Sequence, residues 1–345
     1  MDTKSVKRER GGVRRLAAIG VAGAFWGIVA AGCAGPGGDT RADESAAELA
    51  VERGLAFLAS RQQDDGSYGS EVYRGHTAVT AFAGRALMAS GSKPGSGPYG
   101  ERVSRCLDYL LGCVRDDGLI VSKEPGEPPM YGHAFALIFL AECQKATPRQ
   151  AVREKMERAV GLSVKSQNKE GGWRYQPDSQ EADLSVTVAQ LMGLEAARDA
   201  GLDVPRAAID RAVEYIEKSQ NPDGGFRYLL QGGTSGFARS AAAVAALYAA
   251  GVSEGPEIRR GLDYIAKVPP ADSIGQPEVY YFYGHYHAAQ AMRHTGEGQW
   301  SRWYTAVRKK LLEQQAKDGS WPDTASVDLG TAMACLTLQG KNSSS

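Results

Sequence analysis

The sequence predicts an all-α protein in which six helical hairpins close into a ring. Three observations carry this. A short phrase recurs at a near-constant interval. The segments flanking it follow two different helical patterns. No stretch alternates apolar and polar residues at the period of two that a half-buried strand needs.

The phrase is a glutamine or arginine, then an acid-glycine pair, then an aromatic or apolar residue. It reads SRQQDDGSYG (60–69), VRDDGLI (114–120), SQNKEGGWRY (166–175), SQNPDGGFRY (219–228) and EQQAKDGSW (313–321). The acids Asp65, Asp117, Glu170 and Asp223 fall 52 or 53 residues apart, and the gap of 95 to Asp318 fits two units. The missing copy is the degenerate KVPPADSIG (267–275), which makes six repeats. The glycine takes the positive φ that ends a helix. Tyr68, Trp173, Phe226 and Trp321 read as residues that pack back on neighbouring helices.

The helix before each turn is amphipathic: Ile209, Val213 and Ile216 form a stripe, with Asp210, Arg211, Glu214 and Glu217 opposite. The helix after the turn is apolar nearly all round, as in ARSAAAVAALYAAG (238–251) and HAFALIFLAEC (133–143), and must be buried on most sides. Gly91, Gly201 and Gly251 stand where a left-handed C-cap belongs. Twelve such helices predict an (α/α)6 toroid over residues 45–340, with an apolar inner ring, an amphipathic outer ring and a disordered tail at 341–345.

The remaining segments and bulk properties set the context. Lys4, Lys7, Arg8, Arg10, Arg14 and Arg15 precede the uncharged run Leu16–Gly32, so residues 1–32 read as an export signal. Val29-Ala30-Ala31-Gly32-Cys33 resembles a bacterial lipoprotein signal, in which Cys33 is the lipidated residue. An uncleaved anchor is the alternative, and Arg14-Arg15 hints at twin-arginine export. Residues 33–44 read as a flexible tether. Every version places the domain outside the cytoplasm, facing the periplasm or exterior. The 40 basic and 40 acidic residues cancel, which argues against a nucleic-acid partner. Cys106, Cys113, Cys143 and Cys335 lie in apolar helices and read as buried free thiols, with a Cys113–Cys143 bridge as the alternative.

The repeated phrase resembles the QW repeats of squalene–hopene cyclases and the repeats of protein prenyltransferase β-subunits. It resembles most the bacterial prenyltransferase/squalene-oxidase repeat proteins. The matching stretches are MYGHAFALIFLAE (130–142), SQNKEGGWRYQP (166–177), ADLSVTVAQLMGLEAARDAG (182–201), SQNPDGGF (219–226) and YFYGHYHAAQAM (281–292). The resemblance implies the toroid and leaves activity open. Class II cyclases protonate an alkene with the central acid of D-x-D-D-T-A. The corresponding run here is Glu181-Ala182-Asp183-Leu184-Ser185-Val186, which keeps the central acid and replaces the last aspartate by leucine. The Asp-x-Cys of the prenyltransferase zinc site is absent, and no metal or other cofactor is expected.

One polar constellation is left. Gly75-His76, Gly132-His133 and Gly284-His285 open three inner helices, and Asp183 and Asp328 open two more in what reads as a shared register. Tyr73, Tyr131 and Tyr283 precede the histidines, and Arg174 stands near enough in sequence to pair with Asp183. His285 and His287, two residues apart, diverge by roughly 200° on one helix. Capping explains aspartates and neutral histidines at such positions. The functional reading is a polar rim, with Asp183 and His133 as candidate acid–base groups and His76, Tyr131, Arg174, Tyr283, His285 and Asp328 as candidate ligand contacts. The leading function is binding of an apolar, isoprenoid-like molecule at the barrel mouth by a membrane-anchored protein. The rivals are an enzyme, through acid-initiated cyclase or prenyltransferase-like chemistry at Asp183 or polysaccharide hydrolysis or elimination by His133 and Asp183, and a non-catalytic protein-interaction module.

Overall fold

The computed structural model describes residues 37–123, 128–268 and 280–340, with side chains from Glu44 onward. Cys33, the export signal and the tail at 341–345 lie outside the described residues. Within them are twelve α-helices, one short 3-10 turn (Glu71–Tyr73) and isolated bridges, but no strand. The inner helices are α2 (Thr77–Ala89), α4 (Pro129–Ala146), α6 (Leu184–Asp199), α8 (Phe237–Ala249), α10 (Tyr281–Met292) and α12 (Val327–Gln339). The outer helices are α1 (Gly37–Arg61), α3 (Gly100–Gly112), α5 (Gln150–Ser166), α7 (Arg206–Lys218), α9 (Pro256–Ala266) and α11 (Glu297–Gln314). Helix α1 thus begins at Gly37, inside the segment read from sequence as a tether.

Each inner helix packs on the next, and α12 packs on both α2 and α1, so the array is a closed ring. The repeated phrase is the device that joins one repeat to its neighbour. The turn glycines Gly66, Gly118, Gly171, Gly224 and Gly319 share a φ of 89–92°. A Cβ there would fall on the backbone carbonyl of an arginine in the next outer helix: Arg105, Arg158, Arg211, Arg260 and, closing the ring, Arg53. The turn therefore needs glycine twice over, for its backbone angle and for its contact.

The conserved-in-register glutamine works beside it. Gln167 Nε2 donates to Gly171 O and Ala208 O, both at 2.8 Å. Gln62 and Gln220 do the same for their turns and for Arg102 O and Glu257 O. Gln315 reaches Gly319 O and Ala50 O of α1, so the last repeat holds the first as any repeat holds its successor. The turn aromatics Tyr68, Trp173, Phe226 and Trp321 are fully buried, as expected of packing residues. The indoles of Trp173 and Trp321 also donate to Ser163 O and Leu311 O at 2.7 Å. All four cysteines of the described residues are buried free thiols.

Candidate functional site

A second repeated hydrogen bond fixes the register of the inner helices. The residue closing each turn donates its N–H to a side chain one turn inside the following helix. Tyr68 donates to Thr80 Oγ1, Trp173 to Thr187 Oγ1, Phe226 to Ser240 Oγ and Trp321 to Thr331 Oγ1, at 2.8–3.1 Å. In the second repeat Ile120 donates to His133 Nδ1 at 3.1 Å. His133 therefore takes the place that a hydroxyl holds elsewhere.

This corrects two sequence readings. His133 is not at the rim with Asp183 but a turn deeper and turned outward. With Nδ1 accepting, its Nε2–H donates to Ser163 Oγ (2.9 Å), Ser163 donates to Gln190 Oε1, and Gln190 donates to Met130 O. Both ring nitrogens are satisfied in a buried structural chain, and burial lowers the imidazole to about 4, so it is no free acid or base. Nor do Asp183 and Asp328 share a register. Counted from Thr187 and Thr331, Asp183 aligns with Val327, and Asp328 aligns with Leu184.

Three further candidates also turn to structure. Asp328 is fully buried and clamps the ring shut, accepting from Gly69 N at 3.0 Å and Arg61 Nε at 3.2 Å. His76 caps α2 by accepting from Ala78 N. His285 is the fifth residue of α10, as His133 is of α4. It lies among Phe237, Tyr281 and Trp303, with Nδ1 bonded to Tyr281 O. His287 faces the other way, between Tyr283 and Tyr286, as the 200° divergence requires.

The groups that do converge are Asp183, Tyr131, Tyr283 and Tyr228, with Arg174 and Tyr175 beside them. Asp183 is the N-cap of α6: its Oδ1 accepts from Val186 N at 2.9 Å, and its own N–H donates to Trp173 O. It is fully buried, and Oδ2 makes no hydrogen bond of normal geometry, the Tyr228 hydroxyl being its near polar neighbour. Burial raises its pKa; the Val186 N–H, the nearby Tyr228 hydroxyl and the Arg174 charge offset part of that. Arg174 itself pairs with Glu181 at 3.3 Å and lies over the Tyr175 ring, instead of binding Asp183. The Tyr228 hydroxyl is engaged with that of Tyr175 at 2.7 Å. Burial, with the Asp183 charge adding to it, also holds the Tyr131 and Tyr283 phenols well above their ordinary pKa.

Helices α4 and α10 stand on opposite sides of the inner ring. Even so, the Tyr131 and Tyr283 hydroxyls approach to 3.4 Å. Behind them Phe135 packs on Phe82 (centroids 4.7 Å apart), and Phe82 on Tyr286 (5.4 Å). Two residues past the position that accepts the turn N–H, and two past His285 on α10, the six inner helices present Phe82, Phe135, Ala189, Ala242, His287 and Met333, none more than 2% exposed. They form a diaphragm that seals the middle of the lumen. On its far side Arg85 pairs with Glu142 and reaches Tyr286. The sequence reading passed over this group, although Arg85 is the only charge in TAVTAFAGRALMA. Among the described residues no three His, Cys, Asp or Glu side chains are grouped to hold a metal ion.

Residues 130–273 match the family model of the prenyltransferase alpha-alpha toroid domain. Drimenyl diphosphate synthase of Streptomyces showdoensis is 24% identical over 178 residues, covering 52% of this chain and 32% of that protein, so the chain spans about a third of that relative's length. The type II terpene cyclase MstE of Scytonema, in a variant bound to geranylgeranyl dihydroxybenzoate, superposes with a TM-score of 0.63 at 14% identity, covering 88% of this chain and 99% of that one. An inactive variant of an α-1,6-mannanase of Salegentibacter, bound to α-1,6-mannotriose, gives 0.63 at 10% identity, covering 86% of this chain and 98% of that one. At these identities the superpositions establish the fold alone. Repeat chemistry, closed ring and family match agree on the fold: this chain is an α/α toroid, similar over residues 130–273 to the prenyltransferase toroid domain.

Proposed function

We propose that the protein binds an apolar, isoprenoid-like molecule at the mouth formed by the N-terminal ends of the inner helices. The observation that carries this is Asp183: fully buried, with one oxygen making no hydrogen bond of normal geometry, beside the phenols of Tyr131, Tyr283 and Tyr228. A carboxyl so placed is biased toward its acid form, and that oxygen can meet a ligand's polar head or a double bond. The diaphragm behind it makes the site shallow. The family match and the isoprenoid chemistry named for the two terpenoid relatives supply the ligand class. Residues 1–33 support a lipid-anchored location outside the cytoplasm, with Cys33 as the modified residue.

Acid-initiated chemistry is the second reading, and the Arg174–Glu181 pair favours it by drawing the nearest cation off Asp183. The carboxyl proton would add to a carbon of a C=C bond. The resulting carbocation would face the Tyr131, Tyr283 and Phe135 rings, which attract positive charge. For polysaccharide cleavage His133 is not available as the acid or base, because both its nitrogens are committed to structure.

The test is mass spectrometry of lipid extracted from the purified mature protein, alongside Asp183→Asn. Recovery of a prenyl or other polyene species, lost in the variant, supports binding; turnover of that species by the native protein alone supports the acid. A native protein free of lipid that also takes up no added polyprenol refutes the proposal and leaves the interaction module.

A further inference from the structure

The diaphragm gives the ring two mouths, and the second has its own chemistry. Three residues beyond the sealing layer the inner helices carry Arg85, Ile138, Met192, Ala245, Gln290 and Leu336, and of these Arg85, Met192, Gln290 and Leu336 are half-buried. This is a mostly apolar cup with a few polar groups at its floor, the composition of a small-molecule site.

Arg85 projects across the lumen. Its Nη1 donates to the Tyr286 hydroxyl at 2.8 Å, although α12 stands between α2 and α10 in the ring. Its Nε and Nη2 hold both oxygens of Glu142 at 2.8–3.0 Å. That fork-to-carboxylate pairing displays what the guanidinium is shaped to bind. The Glu142 side chain is 36% exposed, so it can swing to solvent. His287 is fully buried beside Tyr286, and neither ring nitrogen makes a hydrogen bond of normal geometry, with Gln290 one turn on as its polar neighbour.

The floor is rich in donors: the remaining guanidinium N–H groups, the Tyr286 hydroxyl hydrogen, the imidazole N–H and the Gln290 amide. They surround Arg85, and Arg293 lies within electrostatic reach of the Tyr286 hydroxyl. We propose that this second cup binds a monocarboxylate with an apolar body, its carboxylate taking the place of Glu142 on Arg85. A carboxylate reproduces the two-oxygen contact that Glu142 already makes on Arg85.

The test is calorimetric titration of the purified chain with dodecanoate below its micelle-forming concentration, with methyl dodecanoate and dodecyl phosphate as comparisons. Dodecanoate should bind saturably and at least tenfold more tightly than the ester or the phosphate. Arg85→Gln should weaken it at least tenfold. Glu142→Gln should tighten it several-fold by weakening the internal competitor, a gain that misfolding cannot produce. Glu214→Gln, on the exposed face of α7, should leave it unchanged. Equal binding of acid and ester, preference for the phosphate, no gain in Glu142→Gln, or loss in Glu214→Gln would each overturn the proposal. None of these outcomes decides what the first mouth binds.

Discussion

Acidification should unfold this protein well before its carboxylates are neutralised. An unfolded imidazole takes up its proton near 6.5. Burial holds His133 and His285 at about 4 and His287 at about 3. Between those values the unfolded chain carries protons that the fold refuses, so stability is full above 6.5 and declines as the pH falls. Each histidine removes about 1.4 kcal/mol per pH unit. At pH 5 that is roughly 2 kcal/mol each and roughly 6 for the three, comparable with the whole stability of an ordinary domain, about 5–15 kcal/mol. Asp183, Glu195, Glu217 and Asp323, all raised by burial, oppose them, since the fold can then bind protons that the unfolded chain has released, while His76, also held at about 4, adds to the loss. The assay is urea unfolding followed by circular dichroism at pH 7.5 and pH 5.0. His133→Thr places at 133 the residue found at the equivalent positions 80, 187 and 331, keeps an acceptor for Ile120 N–H and removes one titrating group. It should shrink the difference by about 2 kcal/mol, the share of one such histidine. Equal stability at the two pH values, or an undiminished difference in the variant, would refute the reasoning.

Other expectations follow from the repeat geometry. Gly171→Ala forces a side chain into a φ of 92° and onto the Arg211 carbonyl, and should cost about 2–4 kcal/mol by thermal unfolding. Gln315→Ala removes the bonds to Ala50 O and from Arg53 Nη2 across the seam where the ring closes and should cost about 1–3 kcal/mol, as Gln167→Ala, which loses those to Ala208 O and from Arg211 Nη2, should at an interior seam. A clearly smaller cost at Gln315 would mean that the ring is open in solution.

The fold was legible because its signals are local and recur. Glycine, glutamine and aromatic stand at fixed offsets in each turn, and a helix without a polar face has nowhere to go but inside. Ring closure follows from the last turn meeting the first helix with the contacts every turn makes, so the Gly319 and Gln315 phrase already encodes its partner. The site was less legible, because a motif gives position along a helix but not the direction in which a side chain leaves it. Gly-His occurs three times, yet His133 and His285 lie a turn deeper than His76, and only the Thr80–Tyr68 family of bonds reveals the offset.

The same register explains why the lumen polar groups escaped notice. A lone Arg85 or Glu142 in an alanine-rich helix looks like a surface charge until the inner ring curves both toward one axis. There a guanidinium costs too much to bury alone and must find a carboxylate. The first mouth is the converse case: Asp183 is legible as a helix cap, and a cap it is through Oδ1. Capping uses one oxygen. The other is left in a buried setting of phenols with the nearby arginine already paired, and a purely structural aspartate has no need of that. The Asp183→Asn variant separates the two roles physically. Asparagine is as good an N-cap as aspartate, so stability should hold while any dependence on the acid proton is lost.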